Sequence, residues 1–291
     1  MTTPFAAIAL VLAGLIPQAS DDTVAADLIA AHNKERAERK LPPLVAEPRL
    51  TAAAKAHAAD MAAHKKMTHD GSDGSTLIDR VKREKYTYLN VGENVAEGQS
   101  SVASVMDSWM NSPHHRENIL GDFTEVGVAR AEADDGTPYW CVDFGRPFPR
   151  LDPDKAEEEL AERLNHARAD ASTTPLHVSP KLARAARAIA VDYAAKGPAK
   201  PGDSAKDEKK DGPKTPDPVE RIKQSGYRYM RITETGTYGT PTPEETLKAL
   251  FANSEQKATL LGKDYSDLGI GYALAPDGRP AWVVILAKPL R

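Results

Sequence analysis

The stretch HNKERAERKLPPLVAEPRLTAAAKAHAADMA, residues 32–62, occurs twice in this chain. Its second copy is LNHARADASTTPLHVSPKLARAARAIAVDYA, residues 164–194, and Asn33 falls on Asn165, 132 residues later. Two further blocks repeat in the same order, with residues 79–98 on 220–239 and residues 134–144 on 276–286. Self-similarity at a long, nearly fixed period indicates a repeated structural unit. The sequence therefore predicts two copies of one domain, joined near residues 149–155.

Within the first copy, hydrophobic periodicity predicts helices followed by strands. Apolar residues at helical spacing predict helices over residues 23–40, 50–65, 76–85 and 101–110. The runs EVGVARA, residues 125–131, and YWCVDFG, residues 139–145, are strand-like and flank a DDG turn. Helices that flank a small antiparallel sheet give each copy an α+β fold.

Composition limits the function classes. The chain has 291 residues, which is enough for two domains, and a formal net charge of −4. This charge argues against a protein that binds nucleic acid by neutralising phosphates. The single cysteine excludes both an internal disulfide and a zinc site built from cysteines.

The N-terminus has a different character from the rest of the chain. The apolar run FAAIALVLAGLI, residues 5–16, is short for a membrane span and typical of the core of a signal peptide. We therefore predict a signal peptide over residues 1–20, secretion or residence in the cell envelope, and no transmembrane helix in the mature chain. A buried or membrane-anchoring N-terminal helix is the alternative.

Residues 196–218 are rich in Pro, Gly, Lys and Asp, a composition typical of a flexible linker. The repeat places this segment inside the second copy, where it replaces the loop HKKMTHDGSDG of the first. It is therefore predicted to be an insertion in a domain. The predicted boundaries are residues 24–149 for the first domain and residues 155–291 for the second.

Six motifs of the first copy, taken together, resemble the CAP superfamily of cysteine-rich secretory proteins, antigen 5 and pathogenesis-related 1, also called SCP-like domains. They are HNKER, MTHDG, GENVAEG, SWMNSPHHRENIL, FTEVGVA and YWCVDFG, within residues 26–147. The bacterial, disulfide-free branch is the best match. The second copy is identified as a degenerate CAP repeat because it aligns with the first. The resemblance implies tandem α-β-α sandwich domains, secretion and a central cleft.

The same resemblance implies a metal site. In many members the cleft holds two histidines and two acidic residues and can bind a divalent metal such as zinc. Carried over by motif, the expected ligands are His69, Glu93 and His115. The positions of the family's other acid and histidine hold Ser112 and Asp122. The animal and plant set is therefore not intact, and Asp122 stays an open fourth candidate.

Glu93 also has a structural interpretation. Its counterpart Glu234 persists in the second copy, where His69 falls in the replaced loop and His115 falls on Gln256 or Lys257. A carboxylate that persists without its metal partners can instead accept hydrogen bonds from the loop backbone. Both interpretations of Glu93 remain open from the sequence.

A second candidate metal group is formed by His57, Asp60 and His64, which share one helix at i, i+3 and i+7. The second copy has Ile189 and Lys196 in place of the two histidines. His57 is therefore interpreted as a structural residue that faces apolar surroundings.

Several other residues are interpreted as scaffold. Polar and aromatic residues that recur in both copies are expected to support the fold, and they are Asn33, Arg36, Tyr86 and Trp140. Cys141 aligns with Val283 and is expected in the core. His114 is expected to face solvent, and Asn118 is expected to bond to local backbone.

Two function classes remain for the first copy. One is a binding module of the cell envelope or extracellular space that recognises a lipid, a glycan or a protein. The other is a metal-dependent hydrolase with zinc in the cleft and Glu93 as general base. The altered acid and histidine positions, and the lack of an obvious nucleophile–base pair in the sequence, favour the binding module.

Overall fold

The computed structural model of the protein describes residues 21–197 and 217–290. Two compact units are present. Within the described residues, the first comprises residues 21–76, 93–122 and 126–144, and the second comprises residues 77–92, 123–125, 145–197 and 217–290. The predicted signal peptide, residues 1–20, and residues 198–216 of the predicted insertion lie outside the described residues. The predicted domain boundaries therefore stay predictions.

The described residues form helices and strands in an order that repeats. The helices are α1 (Asp21–Glu38), α2 (Pro48–His64), α3 (Leu77–Arg83), α4 (Val102–Asn111), α5 (Pro113–Leu120), α6 (Pro153–Asp170), α7 (Pro180–Lys196), α8 (Pro218–Gln224), α9 (Pro243–Ala252) and α10 (Ser254–Leu261). The strands are β1 (Val45–Ala46), β2 (Asn90–Glu97), β3 (Glu125–Glu132), β4 (Pro138–Arg146), β5 (His177–Val178), β6 (Tyr229–Tyr238), β7 (Asp267–Leu274) and β8 (Pro280–Pro289). The first five helices and four strands are followed by a second set in the same order, which fits the predicted repeat.

Local sequence explains where α2 begins and ends. The side chain of Glu47 accepts a hydrogen bond from the Arg49 amide, and Pro48 occupies the first turn, where its missing N–H costs nothing. The helix ends at Lys65, whose backbone is left-handed with φ of 49°. The loop that carries His69 begins after this left-handed residue.

Each copy contains one four-stranded sheet. The strand orders are β1-β3-β4-β2 and β5-β7-β8-β6, so the two sheets have the same topology. In the second sheet β8 pairs antiparallel with both β6 and β7, and β5 pairs parallel with β7. Strands β4 and β8 are buried along nearly their whole length, as expected for central strands covered on both faces. The α+β fold predicted from the sequence is confirmed.

Helices cover both faces of the second sheet. Leu160 and Leu164 of α6 pack with Trp282 on one face, whereas Ala186 and Ile189 of α7 pack with the side chains of the other face. Burial of these apolar side chains on both faces is the main stabilising contribution to the layers. The predicted α-β-α sandwich is therefore present.

Glycines let a helix approach the strands closely. A Cβ atom on Gly127 of β3 would overlap the Leu50 backbone of α2, and one on Gly269 of β7 would overlap the Leu182 backbone of α7. Only glycine fits where a helix backbone lies directly on a strand. The same approach in both copies fixes α2 and α7 against their sheets.

The polar residues that recur in both copies make the same hydrogen bonds. Asn33 bonds to the N–H and carbonyl of Leu44, as Asn165 does to those of Leu176. The buried Arg36 donates to the carbonyls of Pro42, Ile119 and Gly121, and the buried Arg168 donates to those of Thr174, Leu260 and Gly262. Each arginine thus satisfies carbonyls at the end of α5 or α10. The predicted scaffold role of these residues fits this pattern.

None of the helices within residues 21–197 and 217–290 combines the length and the apolar character needed to cross a bilayer.

Candidate functional site

Glu93 lies in β2, an edge strand of the first sheet that is paired with β4. Its side chain is only 3% exposed. A buried carboxylate is costly unless hydrogen bonds or charges compensate for the lost water. The groups that surround Glu93 therefore define the first candidate site.

His69 is the first of these groups. Its Nδ1 lies 2.8 Å from Oε1 of Glu93, and its side chain is 62% exposed. Because a carboxylate accepts, Nδ1–H is the donor, and a neutral ring then carries its lone pair on Nε2. The site therefore holds a surface imidazole in a fixed orientation through a buried acid.

The loop that carries His69 is tied down on both sides. His57 of α2 donates from Nε2 to the Thr68 carbonyl at 2.8 Å, and the Met67 amide donates to Glu97 of β2 at 3.3 Å. These bonds position residue 69 next to β2 although 24 residues separate His69 from Glu93 in sequence.

Beneath His69, the second oxygen of Glu93 faces a thiol. Cys141 Sγ lies 3.6 Å from Glu93 Oε2 and 3.7 Å from Asp143 Oδ1. Cys141 and Asp143 are both on β4, two positions apart, so their side chains share one face of the sheet. Among the described residues, the ligand atoms of Glu93, Cys141 and Asp143 all lie within 4.8 Å of one another and could hold a metal ion.

His57 completes this buried region. It is 1% exposed, and its Nε2 lies 3.9 Å from Glu93 Oε2. The sequence predicted apolar surroundings because the second copy has Ile189 at this position. That prediction is wrong, because His57 faces a carbonyl and a carboxylate.

His115 lies on α5 and is half-buried. Burial lowers its pKa, and positive charge on His69 and then on His114 lowers it further. The two imidazoles of residues 69 and 115 therefore influence one another electrostatically. Asp122 follows α5 and is exposed. The assignment of His115 and Asp122 as metal ligands stays a prediction.

Two amides hold α5 against β2. Asn118 Nδ2 donates to Asn94 Oδ1 at 2.8 Å and to the Glu93 carbonyl at 3.1 Å, and Asn94 Nδ2 donates to the His115 carbonyl at 3.0 Å. The prediction that Asn118 bonds to local backbone is wrong, since its partners lie 24 and 25 residues away. His114 is exposed over 95% of its side chain, as predicted.

The sequence predicted that His69 and Glu93 lie together, which they do at 2.8 Å, and it did not predict that Cys141, Asp143 and His57 lie beside Glu93. Cys141 is a buried core residue, as predicted, but its sulfur faces carboxylates. The signal was available in YWCVDFG, because the i, i+2 spacing on a strand puts a thiol and an acid on one face. Alignment with Val283 and Ile285 of the second copy concealed it.

In the second copy, Glu234 has a different partner. Tyr193 of α7 donates its hydroxyl to Glu234 Oε1 at 2.7 Å. Burial raises the pKa of Glu234, and the bond from Tyr193 opposes that rise. The second copy therefore retains the acid and replaces the imidazole with a phenol.

A wider groove of about 850 Å³ in the second unit lies between α6 and α7. Its buried Glu157 accepts two bonds from Arg187 Nε, at 2.9 and 2.7 Å, and one from the Tyr272 amide at 3.1 Å. Through these bonds Glu157, the most buried acid of the groove, joins α6 to α7 and β7. The groove is large, but its most buried acid is already bonded to other protein groups. It is therefore a weaker candidate site than the surroundings of Glu93.

The sequence model of one protein family, CAP, the cysteine-rich secretory protein family, matches residues 29–144 and again residues 161–286. The chain belongs to the CAP family. Two separate matches in one chain confirm the tandem arrangement of CAP domains that the repeat predicted.

Relatives of these CAP domains occur in bacteria. The protein YkwD of Bacillus subtilis (strain 168) is 35% identical over 102 residues, which are 35% of this chain and 40% of YkwD. The chain therefore spans about two fifths of that relative.

Parts of the chain also resemble solved structures. An extracellular protein containing an SCP domain from Bacillus anthracis str. Ames is 28% identical, with a TM-score of 0.40, and the match covers 43% of this chain and 41% of that protein. An outer surface protein from Borrelia burgdorferi is 24% identical, with a TM-score of 0.40, and the match covers 42% of this chain and 91% of that protein.

Proposed function

We propose that this CAP protein is exported and acts as a binding module of the cell envelope or extracellular space, with its ligand site at His69 and Glu93. The domain limits that go with this proposal are residues 24–149 and 155–291, after removal of residues 1–20. Export is supported by the apolar segment at residues 5–16. The proposed ligand is a lipid, a glycan or a protein that presents a group able to bond to an imidazole.

One observation carries the binding site. An exposed imidazole is held by a carboxylate that is itself almost fully buried, at 2.8 Å. Burying Glu93 costs free energy, and the bond to His69 offsets part of that cost. Pairing of this kind fixes the tautomer and the orientation of the ring, as it does for histidines that bind metals. With Nδ1–H donated to Glu93, Nε2 of the neutral His69 ring is the acceptor.

The donors available near Glu93 fit zinc in kind. Imidazole nitrogen, carboxylate oxygen and thiolate sulfur are its usual ligands. At the surface, His69 through Nε2 and His115 would hold the ion while Glu93 orients His69 through Nδ1; in the buried region, Glu93 would itself be a ligand with Cys141 and Asp143. A bound ion would supply a positive centre for a polar or anionic group of the ligand.

Zinc titration of the full chain tests the site and separates the two donor sets. We expect His69→Ala to weaken zinc binding at least about 10-fold, since it removes a ligand. His115→Ala should act in the same direction. His114→Ala is the matched control, because this neighbouring histidine is exposed over 95% of its side chain, and it should leave affinity unchanged.

Two outcomes would redirect or remove the metal part of the proposal. A loss in Cys141→Ser with no loss in His69→Ala would assign the ion to the buried set. Unchanged affinity in His69→Ala, His115→Ala and Cys141→Ser would remove a metal from this site altogether. Cell fractionation checks export, and recovery of the protein only from the cytosol would contradict it. N-terminal sequencing of the exported protein checks the removal of residues 1–20, which an intact Met1 would contradict.

A further inference from the structure

Strand β6 forms one edge of the second sheet, where it pairs with β8 alone. An edge strand presents a row of backbone N–H and C=O groups that can pair with another chain. The equivalent edge strand of the first sheet is β2. The two edges differ in how they are protected, and this difference is separate from the His69 site and goes beyond the function proposed for it.

The register with β8 shows which backbone groups of β6 face outward. Residues 231–238 pair with β8 without a bulge, and the Gly239 amide continues the ladder by donating to the Pro280 carbonyl at 2.7 Å. In an antiparallel ladder every second residue bonds to the neighbouring strand, and the residues between them direct their N–H and C=O groups away from it. The outward-facing backbone groups therefore belong to Ile232, Glu234, Gly236 and Tyr238.

In the first copy, side chains cap the equivalent carbonyls of β2. Asn118 Nδ2 donates to the Glu93 carbonyl at 3.1 Å, and the indole N–H of Trp109 donates to the Val95 carbonyl at 3.2 Å. Glu93 and Val95 are both buried, and a buried carbonyl is costly when it has no partner. These two bonds therefore protect the edge of the first sheet.

The second copy lacks both caps. The residue aligned with Trp109 is Leu250, which has no polar side-chain atom, and the residue aligned with Asn118 is Thr259. Within the described part of the chain, neither side chain makes a hydrogen bond to β6. The outward-facing carbonyls of β6 are therefore not capped as those of β2 are.

The edge of β6 is also more exposed than that of β2. Residues 93–96 of β2 are buried, whereas the aligned residues 234–237 of β6 are half-buried. Natural proteins usually protect an edge strand with lysine, proline, a bulge or a covering element. The segment ITETGTY, residues 232–238, contains no lysine and no proline, and its register with β8 is regular. This segment can therefore pair with another strand.

The side chains of this segment favour a second copy of the same strand as the partner. In an antiparallel pair with a two-fold axis at Thr235, Ile232 of one copy faces Tyr238 of the other. An aromatic residue opposite a β-branched one is a favourable pair. Glu234 then faces Gly236, so the two glutamates do not lie opposite each other. A two-fold axis at Glu234 would place these like charges face to face, which is unfavourable.

We propose that β6 pairs antiparallel with β6 of a second copy of this chain and joins two sheets into one continuous sheet. Residues directly opposite each other exchange two backbone hydrogen bonds at every second position. Each outward-facing N–H and C=O group within residues 232–238 thereby gains a partner. The interface uses the same surface on both copies, so the assembly closes as a dimer.

Sedimentation velocity of the full chain over a range of concentrations tests the association. We expect a reversible equilibrium between monomer and dimer. Ile232→Pro removes an outward-facing amide and leaves the bonds to β8 in place, as proline can on an edge strand, and should weaken dimerisation at least about 10-fold. Ile232→Val keeps the amide and should dimerise like the wild type. A monomer at every concentration, or a dimer that Ile232→Pro leaves unchanged, would overturn the inference.

Disulfide cross-linking tests the register without a proline. Opposite residues that exchange no backbone bonds have Cα atoms about 4.5 Å apart, which a disulfide can span. Thr235 faces its own copy across the proposed axis, so Thr235→Cys should give a cross-linked dimer on mild oxidation. The native Cys141 is 0% exposed and does not compete.

Thr233→Cys is the matched control for this cross-link. Thr233 faces Thr237 of the other copy, so the two introduced thiols would lie about 13 Å apart and should not react. The double variant Thr233→Cys/Thr237→Cys should cross-link again. Equal cross-linking of Thr233→Cys and Thr235→Cys, or none in Thr235→Cys, would contradict the proposed pairing.

Discussion

The two CAP domains keep a glutamate at the same place in the sheet but orient it with different partners. In the first, exposed His69 from a loop donates to Glu93, and in the second, Tyr193 from α7 donates to Glu234. The position of Tyr193 corresponds to Met61, which is buried in the core of the first domain. The buried Glu93 and the half-buried Glu234 each accept a hydrogen bond, and the identity of the donor sets the chemistry that the site presents.

The scaffold hydrogen bonds differ much less between the two copies than the partners of the two glutamates do. The Asn and Arg hydrogen bonds are the same, and the indole N–H of Trp140 donates to the Gln99 carbonyl as that of Trp282 does to the Thr240 carbonyl. Duplication has therefore preserved the contacts that join helices to sheet and changed those that line the sites.

The largest expected effect concerns the shared arginines. Arg36→Met and Arg168→Met should each lower the free energy of unfolding by about 4 kcal/mol, because several buried carbonyls lose a charged donor. Urea unfolding of the full chain measures this loss. Lys34→Met, an exposed change on the same helix as Arg36, should stay within about 0.5 kcal/mol. A large decrease in the free energy of unfolding for only one of the two variants would show that the arginines are not equivalent in the two copies.

The next effect distinguishes the copies by pH. His32 is fully buried beside Trp109 and Phe144, and burial lowers its pKa to about 4. Its counterpart in the second copy is Leu164. Because the folded state favours the neutral ring, the unfolded state binds the extra proton below pH about 6.5. The neutral ring therefore makes its full contribution to the free energy of unfolding above pH about 6.5. That contribution decreases by about 3 kcal/mol as the pH falls towards 4.

His32→Leu, the residue of the second copy, should remove this part of the pH dependence. Urea unfolding of the wild type and of the variant at pH 7 and at pH 4 measures it. His64→Leu is the control, since this histidine lies exposed on α2. An equally steep loss of stability in His32→Leu would show that the acid sensitivity arises elsewhere.

The smallest expected effect concerns helix–sheet spacing. A Cβ atom on Gly271 of β7 would overlap the Ala186 backbone of α7, yet the first copy has Ala129 at this position. Gly271→Ala should therefore cost about 2 kcal/mol through overpacking. Ala129→Gly should cost about 1 kcal/mol or less, from the flexibility that it adds to the unfolded chain.

Thermal unfolding of both variants sharpens the comparison. We expect Gly271→Ala to be more destabilising than Ala129→Gly. That order would indicate that α7 lies closer to its sheet at this point than α2 does to its own. Gly271→Ala with wild-type stability would show that α7 can shift, and that the glycine does not set the spacing.

Much of the fold could be predicted from the sequence. The helix predicted at residues 50–65 is α2 (Pro48–His64), and the strand predicted at residues 139–145 is β4 (Pro138–Arg146). Segments without strong periodicity were not predicted. The helix α5 (Pro113–Leu120) is short, and in the described structure its only fully buried residue is Ile119. Its place depends on bonds with Asn94 and Arg36, which are distant in sequence.

The sequence by itself determined the duplication, the α+β layers and the scaffold residues, because these depend on periodic patterns and on residues repeated at constant offsets. Only the tertiary structure decided that His57, Cys141 and Asp143 lie beside Glu93, and that Tyr193 of α7 bonds to Glu234. Both features depend on side chains from separate helices and strands meeting at one point. Linear order does not encode the volumes and distances at such a meeting point, which are fixed only when the helices pack on the sheet.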